Sequence, residues 1–235
     1  MNILALDTAG KSAGVAILAD DRLLYECYLE VGLTHSETIM PLVDGAFRMT
    51  GLKPRDIGLY AVTAGPGSFT GLRIGLAAAK GLALPCNTPC AAVSTLEALA
   101  NQHTGQGTVI TALDARRSQV YWAAFDLESH ARLTPDDAAP VDSLAPFIEN
   151  CKKPLFFVGN GAALCYNKYG QLPGVIPAAP GCGCARGGAV GIVGARMHAA
   201  GQSTPPSGLL PDYHRLSQAE RERKAKLAAQ PQQER

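Results

Sequence analysis

The chain has 235 residues, of which 47% are hydrophobic and 17% are charged, and its formal net charge is +1. This composition supports a packed core in one large or two small domains and excludes global disorder. A protein that grips nucleic acid by itself usually carries a basic excess, so only a site shared with a partner stays open. The N-terminus lacks a basic region and no apolar run reaches 18 residues, which predicts a soluble cytoplasmic protein without membrane contact.

The first thirty residues predict three consecutive strands joined by tight turns. Residues 2–7 form a buried apolar run that ends at Asp7, and residues 13–19 form a second run. After the turn at Asp20 and Asp21, residues 23–29 show the two-residue alternation of a strand. This order predicts a hairpin meander rather than a βαβ unit.

A helix is predicted to follow. Thr34 and Glu37 have the spacing of a capping box. Apolar residues then recur at helical spacing, namely Ile39, Leu42, Val43, Ala46 and Phe47. Pro41 should either kink this helix or mark its true first turn, and Gly51 should end it.

The segment Gly65–Gly75 is the most informative part of the sequence. It follows a buried strand at residues 59–63 and opens an apolar helix at residues 70–84. A glycine-rich turn before a helix either holds an anion on its free N–H groups or lets another helix approach its bare backbone. Its spacing fits neither a G-x-G-x-x-G motif, nor a P-loop, nor a G-x-S-x-G nucleophile elbow, and Ser68 suits a helix N-cap.

Small residues form a ladder along this helix. Gly67, Gly71, Gly75 and Ala79 lie four residues apart and share one face. Each interior glycine costs about 1 kcal/mol relative to alanine, which predicts close packing along that face. Two partners for this packing are open, the protein's own sheet and a second subunit. Because the helix is apolar on nearly every side, the second subunit is favoured.

The pattern of strand, carboxylate turn and strand recurs in the second half of the chain. After a polar linker at residues 102–107, residues 109–113 form a strand that ends at Asp114, and residues 119–125 form the next strand. The repeat of the Asp7 turn predicts two related lobes. This layout is similar to that of the actin, sugar-kinase and Hsp70 superfamily, whose nucleotide lies between the lobes.

Further elements are predicted along the second half. Residues 142–150 read as a helix, residues 155–158 as a strand, and residues from about 189 to 201 as a helix. The charged end, residues 218–233, has little apolar face and is predicted to be frayed or disordered.

Two carboxylate turns are the candidates for chemistry. Asp7 with Thr8, and Asp114 with Arg116, would suit a magnesium-bound phosphate between the lobes. Each also fits an Asx-turn, in which the carboxylate accepts a backbone N–H two residues on, and this interpretation is favoured.

No metal or redox site is predicted. His35 is followed at the fourth position by Ile39 rather than a second histidine, which disfavours a metal-dependent hydrolase. The seven cysteines are scattered, lack C-x-x-C spacing and should be free thiols.

Several strings together resemble the TsaB, or YeaZ-type, family. They are residues 1–9, 34–43, 64–75, 93–96, 113–116 and 120–122. The resemblance covers residues 1–125 and returns in part near residues 211–221. It implies an α/β protein with an actin-like ATPase (ASKHA, ribonuclease H-like) fold, in which two lobes each have a mixed sheet and flanking helices.

The implied division places residues 1–103 in the N-terminal lobe, with about 205–220 returning to it. Residues 104–204 would form the C-terminal lobe, and residues 221–235 a disordered polar tail.

The resemblance also implies a function. It predicts a noncatalytic, activating subunit that pairs with TsaD, the paralogue that binds metal and transfers threonylcarbamoyl to the adenosine 3′ of the anticodon in tRNAs. TsaE would join them, tRNA would be contacted indirectly, and the chain alone would form a homodimer. No cofactor is expected on the chain alone, and ATP or ADP with Mg²⁺ only within the complex. The alternatives are an actin-fold ATPase or phosphotransferase and an M22-type peptidase.

The implied site residues fall into two groups. Those expected to contact the partner are His35, Ile39, Leu42, Val43, Phe47, Phe69, Gly71, Leu72, Gly75, Leu76 and Ala79. Those that could form phosphate loops are Asp7, Thr8, Gly65, Gly67, Ser68, Asp114 and Arg116. No residue is assigned to catalysis or to a metal.

Overall fold

The computed structural model describes residues 1–179 and 181–214, which build two β-sheets with flanking helices. The first sheet has the strands β1 (Asn2–Asp7), β2 (Ala13–Ala19), β3 (Arg22–Leu29), β4 (Leu59–Gly65) and β5 (Cys90–Ser94). Their order is β3-β2-β1-β4-β5, in which β1 to β3 are antiparallel and β1, β4 and β5 are parallel. The predicted meander is therefore confirmed. The predicted tails at 218–233 and 221–235 lie outside the described residues.

Two long helices cover one face of this sheet. They are α1 (His35–Thr50) and α2 (Phe69–Ala83), and the shorter α3 (Thr95–Ala100) follows β5. The Glu37 carboxylate accepts a hydrogen bond from the Thr34 N–H at 2.9 Å, which completes the predicted capping box. Because α1 begins at His35, Pro41 lies inside the helix and does not mark its first turn.

The second sheet repeats this topology at smaller size. It contains β6 (Thr108–Asp114), β7 (Gln119–Asp126), β8 (Asp137–Pro140) and β9 (Leu155–Val158), in the order β8-β7-β6-β9. Strands β6 to β8 are antiparallel and β9 is parallel to β6. On its outer face pack α4 (Ala145–Asn150) and α5 (Ala162–Tyr169). The predicted α/β fold with two lobes of mixed sheets is confirmed.

A middle layer joins the two sheets. The helix α6 (Gly187–Ala199) packs on β1, β2 and β4, and α3 lies against both sheets. The glycines of α6 allow that helix to approach the first sheet closely, since a Cβ at Gly194 would come within 2.5 Å of the Ala61 Cβ. The predicted boundaries assign residues 104–204 to the second lobe, whereas the structure packs α6 on the first sheet. The five layers are thus α1 and α2, sheet, α3 and α6, sheet, α4 and α5.

Ionic contacts fasten α3 to the second lobe. The Arg132 guanidinium pairs with Glu97 at 2.9 Å and with Asp136. The Ser94 hydroxyl donates to the Asp136 carboxylate at 2.6 Å. These contacts link the end of β5 to the segment before β8.

The described C-terminal segment returns to the first lobe. Thr204 exchanges backbone hydrogen bonds with Cys90 at 2.8 Å, which extends the sheet beyond β5. Leu209 is fully buried under α2, and the Asp212 N–H donates to the Ala64 carbonyl at 2.8 Å. In the part of the chain described, no helix is long and apolar enough to cross a membrane.

Candidate functional site

The first carboxylate turn is closed on itself. Asp7 is only 1% exposed, and its carboxylate accepts hydrogen bonds from the Thr63 hydroxyl at 2.8 Å and the Ala9 N–H at 3.1 Å. Burial raises the pKa of Asp7 to about 6, against the opposing effect of these hydrogen bonds. The bond to Ala9 confirms the Asx-turn interpretation. One carboxylate oxygen, Oδ1, is therefore held by groups of the protein itself.

Thr8 is also occupied inside the protein. Its side chain is buried and its hydroxyl donates to the Gly71 carbonyl at 2.8 Å. The proposed phosphate role of Asp7 and Thr8 thus finds no exposed polar group in this structure.

The glycine ladder packs on this turn. A Cβ at Gly71 would overlap the Thr8 carbonyl oxygen, and a Cβ at Gly75 would overlap the Thr8 hydroxyl. A Cβ at Gly67 would lie 2.6 Å from the Ala9 carbonyl oxygen. The ladder therefore packs on the protein's own first turn, and the expectation that this helix also meets a second subunit stays a prediction.

Burial divides the residues predicted to contact a partner. Those buried in the monomer are Ile39, Val43, Gly71, Leu72, Gly75, Leu76 and Ala79. His35, Leu42, Phe47 and Phe69 are half-buried. In the structure, this apolar periodicity corresponds to packing on the protein's own sheet. The same spacing also suits packing on another subunit, so the periodicity alone does not distinguish the two.

The His35 side chain contacts the loop after Asp7 at Gly10. Its Nε2 lies 3.0 Å from the Gly10 carbonyl oxygen, while its buried Nδ1 meets no hydrogen-bond partner among the described residues. A groove of about 500 Å³ opens beside it, between Lys11 and the starts of α1 and α2. Ser68 caps α2 by accepting from the Gly71 N–H at 3.2 Å, as predicted.

The surface of α2 that faces away from the sheet was not anticipated from the ladder. Its exposed positions follow helical spacing, and they are Thr70, Arg73, Ala77 and Gly81, with the exposed Leu84 just after the helix. We call Arg73, Ala77 and Gly81 the outer stripe. Apart from the adjacent residues and the backbone of its own helix, no described atom lies within 4 Å of a Cβ built at Gly81. The signal in the sequence is Gly81 itself, a glycine outside the four-residue ladder and in the last turn of α2.

The second carboxylate turn is open where the first is closed. Asp114 is exposed and accepts from the Arg116 N–H at 2.7 Å, and its own N–H donates to the Asn160 side chain at 2.8 Å. Arg116, Arg117 and Ser118 have left-handed backbones, with φ of 66°, 55° and 56°. This turn is again an Asx-turn, but it leaves two arginines exposed.

The chain itself runs through the space between the two turns. The Cys182 carbonyl accepts from the Gly159 N–H at 2.8 Å, and Ala185 is buried in the core between the sheets. A Cβ at Gly14 would lie 3.6 Å from both the Asp7 Cβ and the Gly187 nitrogen. Residues 182–187 therefore run from the end of β9 to the first turn, between the two sheets.

Gly65 lies against the C-terminal segment at Asp212. Its φ is +148°, and a Cβ there would overlap the Asp212 carbonyl oxygen. Glycine at this position thus admits the C-terminal segment. Among residues 1–179 and 181–214, no cluster of three His, Cys, Asp or Glu side chains could hold a metal ion.

Comparisons with known proteins agree with this architecture. The family model described as TsaD, tRNA N6-adenosine threonylcarbamoyltransferase, matches residues 30–168. The tRNA threonylcarbamoyladenosine biosynthesis protein TsaB of Bacillus subtilis (strain 168) is 31% identical over 228 residues, which cover 94% of this chain and 96% of that protein.

Two further likenesses are more limited in sequence or extent. The protein of the same name from Escherichia coli (strain K12) is 37% identical over 134 residues, which cover 55% of this chain and 57% of that protein. A crystal structure from Pseudomonas aeruginosa, of an uncharacterized protein with similarity to peptidase YeaZ, superposes with a TM-score of 0.78 at 26% identity. That superposition covers 91% of this chain and 99% of the other.

Proposed function

This chain belongs to the TsaB (YeaZ-type) family of tRNA threonylcarbamoyladenosine biosynthesis proteins, and from that premise we propose that it is a noncatalytic, activating subunit. In this proposal it forms a heterodimer with TsaD, and TsaD installs threonylcarbamoyl on the adenosine 3′ of the anticodon in tRNAs. TsaE joins the pair, and tRNA is reached through the complex.

The outer stripe of α2 carries the proposal. Gly81 lies in the last turn of α2, and glycine costs up to about 1 kcal/mol relative to alanine in a helix. A Cβ at Gly71 or Gly75 would overlap Thr8, whereas a Cβ at Gly81 would meet no described atom outside the adjacent residues and the backbone of its own helix. Ala77 and Gly81 are exposed one turn apart, so a helix of another subunit can approach the backbone closely there.

The surroundings of the stripe suit a protein interface. Half-buried Ile74, Ala78 and Leu82 border it on α2. On the neighbouring α1, Met40 is 44% and Met49 is 73% exposed. Exposed methionines and few charges are typical of interface cores, and two helices of 15 and 16 residues can supply much of a standard interface of about 1,600 Å².

The closed first turn supports a noncatalytic role. Inside the protein, Asp7 Oδ1 accepts from Ala9 and Thr63, and the Thr8 hydroxyl donates to Gly71. Chemistry is therefore assigned to TsaD, and ATP or ADP with Mg²⁺ to the assembled complex. In the absence of TsaD, the same stripe would pair with that of a second copy in an isologous homodimer.

Reconstitution tests this function. Threonylcarbamoyl transfer to tRNA is measured with TsaD, TsaE and the activated threonylcarbamoyl donor, with and without this chain. We expect transfer only when the chain is present, and no turnover by the chain alone. Equal transfer without the chain would contradict the proposal.

A second candidate is an actin-fold ATPase, which the exposed Asp114 and Arg116 turn favours. Calorimetric titration of the isolated chain with Mg-ATP distinguishes the two. Tight binding that Asp114→Ala abolishes, together with phosphate release, would replace the subunit proposal by the enzyme. If titration with Mg-ATP gives heats no larger than those of dilution, the result agrees with the proposal that the chain is a noncatalytic subunit.

A further inference from the structure

The C-terminal segment reaches the first turn of α2 through an aromatic contact. Tyr213 stacks on Phe69, with ring centroids 4.5 Å apart and planes inclined by 21°. The Tyr213 hydroxyl accepts a hydrogen bond from Arg73 Nε at 2.8 Å. The Arg73 guanidinium in turn lies 3.9 Å from the centre of the Phe69 ring. These three side chains form what we call the arginine cluster.

The backbone that leads to Tyr213 is held by contacts other than those of the Tyr213 ring. Leu209 is buried in the core, and Asp212 is hydrogen-bonded to Ala64. The close approach of Asp212 to Gly65 leaves no room for a side chain at residue 65. The aromatic stack is therefore set by the fold of the segment and does not depend on a single surface contact.

Arg73 is held in place but not neutralised. It is exposed, and no carboxylate of the described residues lies within 4 Å of its guanidinium nitrogens. Its Nε is bound to Tyr213, so the two terminal nitrogens keep their N–H groups for an external acceptor. A guanidinium immobilised by stacking and by a hydrogen bond loses less conformational freedom on binding than a free arginine.

We propose that the arginine cluster is a preformed anchor for the partner subunit, which places an Asp or Glu carboxylate on the terminal nitrogens of Arg73. The inference rests on the proposed function and extends its interface. Arg73 and Ala77 are four residues apart on the outer stripe, so one partner surface can touch both. Arginine and large aromatic residues dominate the binding energy of many interfaces, and bidentate pairing suits a carboxylate.

Calorimetry of the heterodimer tests the anchor. The dissociation constant is measured for Arg73→Ala, Arg73→Lys, Tyr213→Ala and Tyr213→Phe, with Arg22→Ala as control because Arg22 is an exposed arginine at the far edge of the sheet. We expect Arg73→Ala to weaken binding at least 30-fold and Arg73→Lys nearly as much, since lysine cannot pair through two nitrogens.

The tyrosine variants separate anchoring from folding. Tyr213→Ala should weaken binding about tenfold, whereas Tyr213→Phe keeps the stack and should stay within about threefold. Melting temperatures of the isolated variants establish that each chain is folded. Binding by wild type should also weaken with added salt more than binding by Arg73→Ala.

Other results would overturn the inference in distinct ways. If Arg73→Ala and Arg22→Ala both bind as wild type while Ala77→Arg does not, the anchor fails and the heterodimer stands. If Ala77→Arg also binds as wild type, the outer stripe is not the interface, and if the wild-type chain does not bind TsaD at all, the proposed function itself fails. If Arg73→Ala leaves the heterodimer intact but weakens tRNA binding to the complex, Arg73 contacts a phosphate and the carboxylate assignment is wrong.

Discussion

The two carboxylate turns start from the same local chemistry and end in opposite environments. Asp7 and Asp114 each close the first strand of a sheet, and each accepts a backbone N–H from two residues on. Asp7 is buried with a raised pKa, whereas Asp114 is exposed.

The helix that follows the neighbouring parallel strand accounts for this difference. In the first lobe, α2 lays Gly71 and Gly75 directly on Thr8. In the second lobe, α5 is only 8 residues long, and Gly161 approaches the backbone of Asp114 but leaves Arg116 exposed. Burial of the carboxylate is therefore decided by a segment some 60 residues away in sequence, not by the turn.

The largest effect should come from separating α2 from the first turn. Gly71→Ala places a Cβ on the Thr8 carbonyl oxygen, and we expect a loss of about 3 kcal/mol or more in the free energy of unfolding. Gly81→Ala is the matched control in the same helix, and it should be neutral or gain up to about 1 kcal/mol. Denaturant unfolding measures both. Equal stability of the two variants would show that α2 does not press on the turn.

The pH dependence of stability sharpens the comparison next. Because the pKa of Asp7 is about 6 in the folded protein and about 3.8 when unfolded, the unfolded chain loses this proton first. Stability should therefore fall by up to about 3 kcal/mol as the pH rises from about 4 to above 6. Asp7→Asn removes this term and should flatten the profile.

A second variant tests independently the direction in which the Asp7 pKa changes stability with pH. Thr63→Val removes a hydrogen bond to the ionised carboxylate, so the fall should move to higher pH. Unfolding free energies from pH 4 to 8 measure all three proteins. Parallel profiles for wild type and Asp7→Asn would contradict the burial of an ionisable Asp7.

The smallest effect is expected in the open turn. Arg117 has a left-handed backbone, which costs an L-residue about 1–2 kcal/mol. Arg117→Gly should raise the free energy of unfolding by up to about 1 kcal/mol after the larger entropy of the unfolded glycine is counted. Arg117→Ala keeps the strain without the charge and should stay near wild type. A gain in both variants would assign the effect to the side chain instead.

Much of the fold could be predicted because its signals are local. The three-strand meander, the capping box at Thr34 and the cap at Ser68 each depend on residues next to one another. The four-residue strand β8 and the helix α5 were missed, because short segments carry little periodicity. The placement of α6 on the first sheet depends on long-range packing that no local pattern encodes.

The site was harder to predict than the fold. The ladder of Gly71 and Gly75 correctly indicated close packing, but a period of four residues identifies a face without saying what covers it. Gly81 and Arg73 lie on the opposite, exposed face, where no periodic signal draws attention. The role of Tyr213 required the structure, since 140 residues separate it from Arg73.

Binding of TsaD to the outer stripe is the most direct test of the account. The dissociation constant of the heterodimer is measured for wild type, for Ala77→Arg and for Ala163→Arg, which makes the same change at an exposed alanine of α5 in the other lobe. We predict that Ala77→Arg weakens binding at least 100-fold while its melting temperature stays near wild type, and that Ala163→Arg binds within twofold of wild type. Wild-type affinity of a folded Ala77→Arg protein would contradict the account.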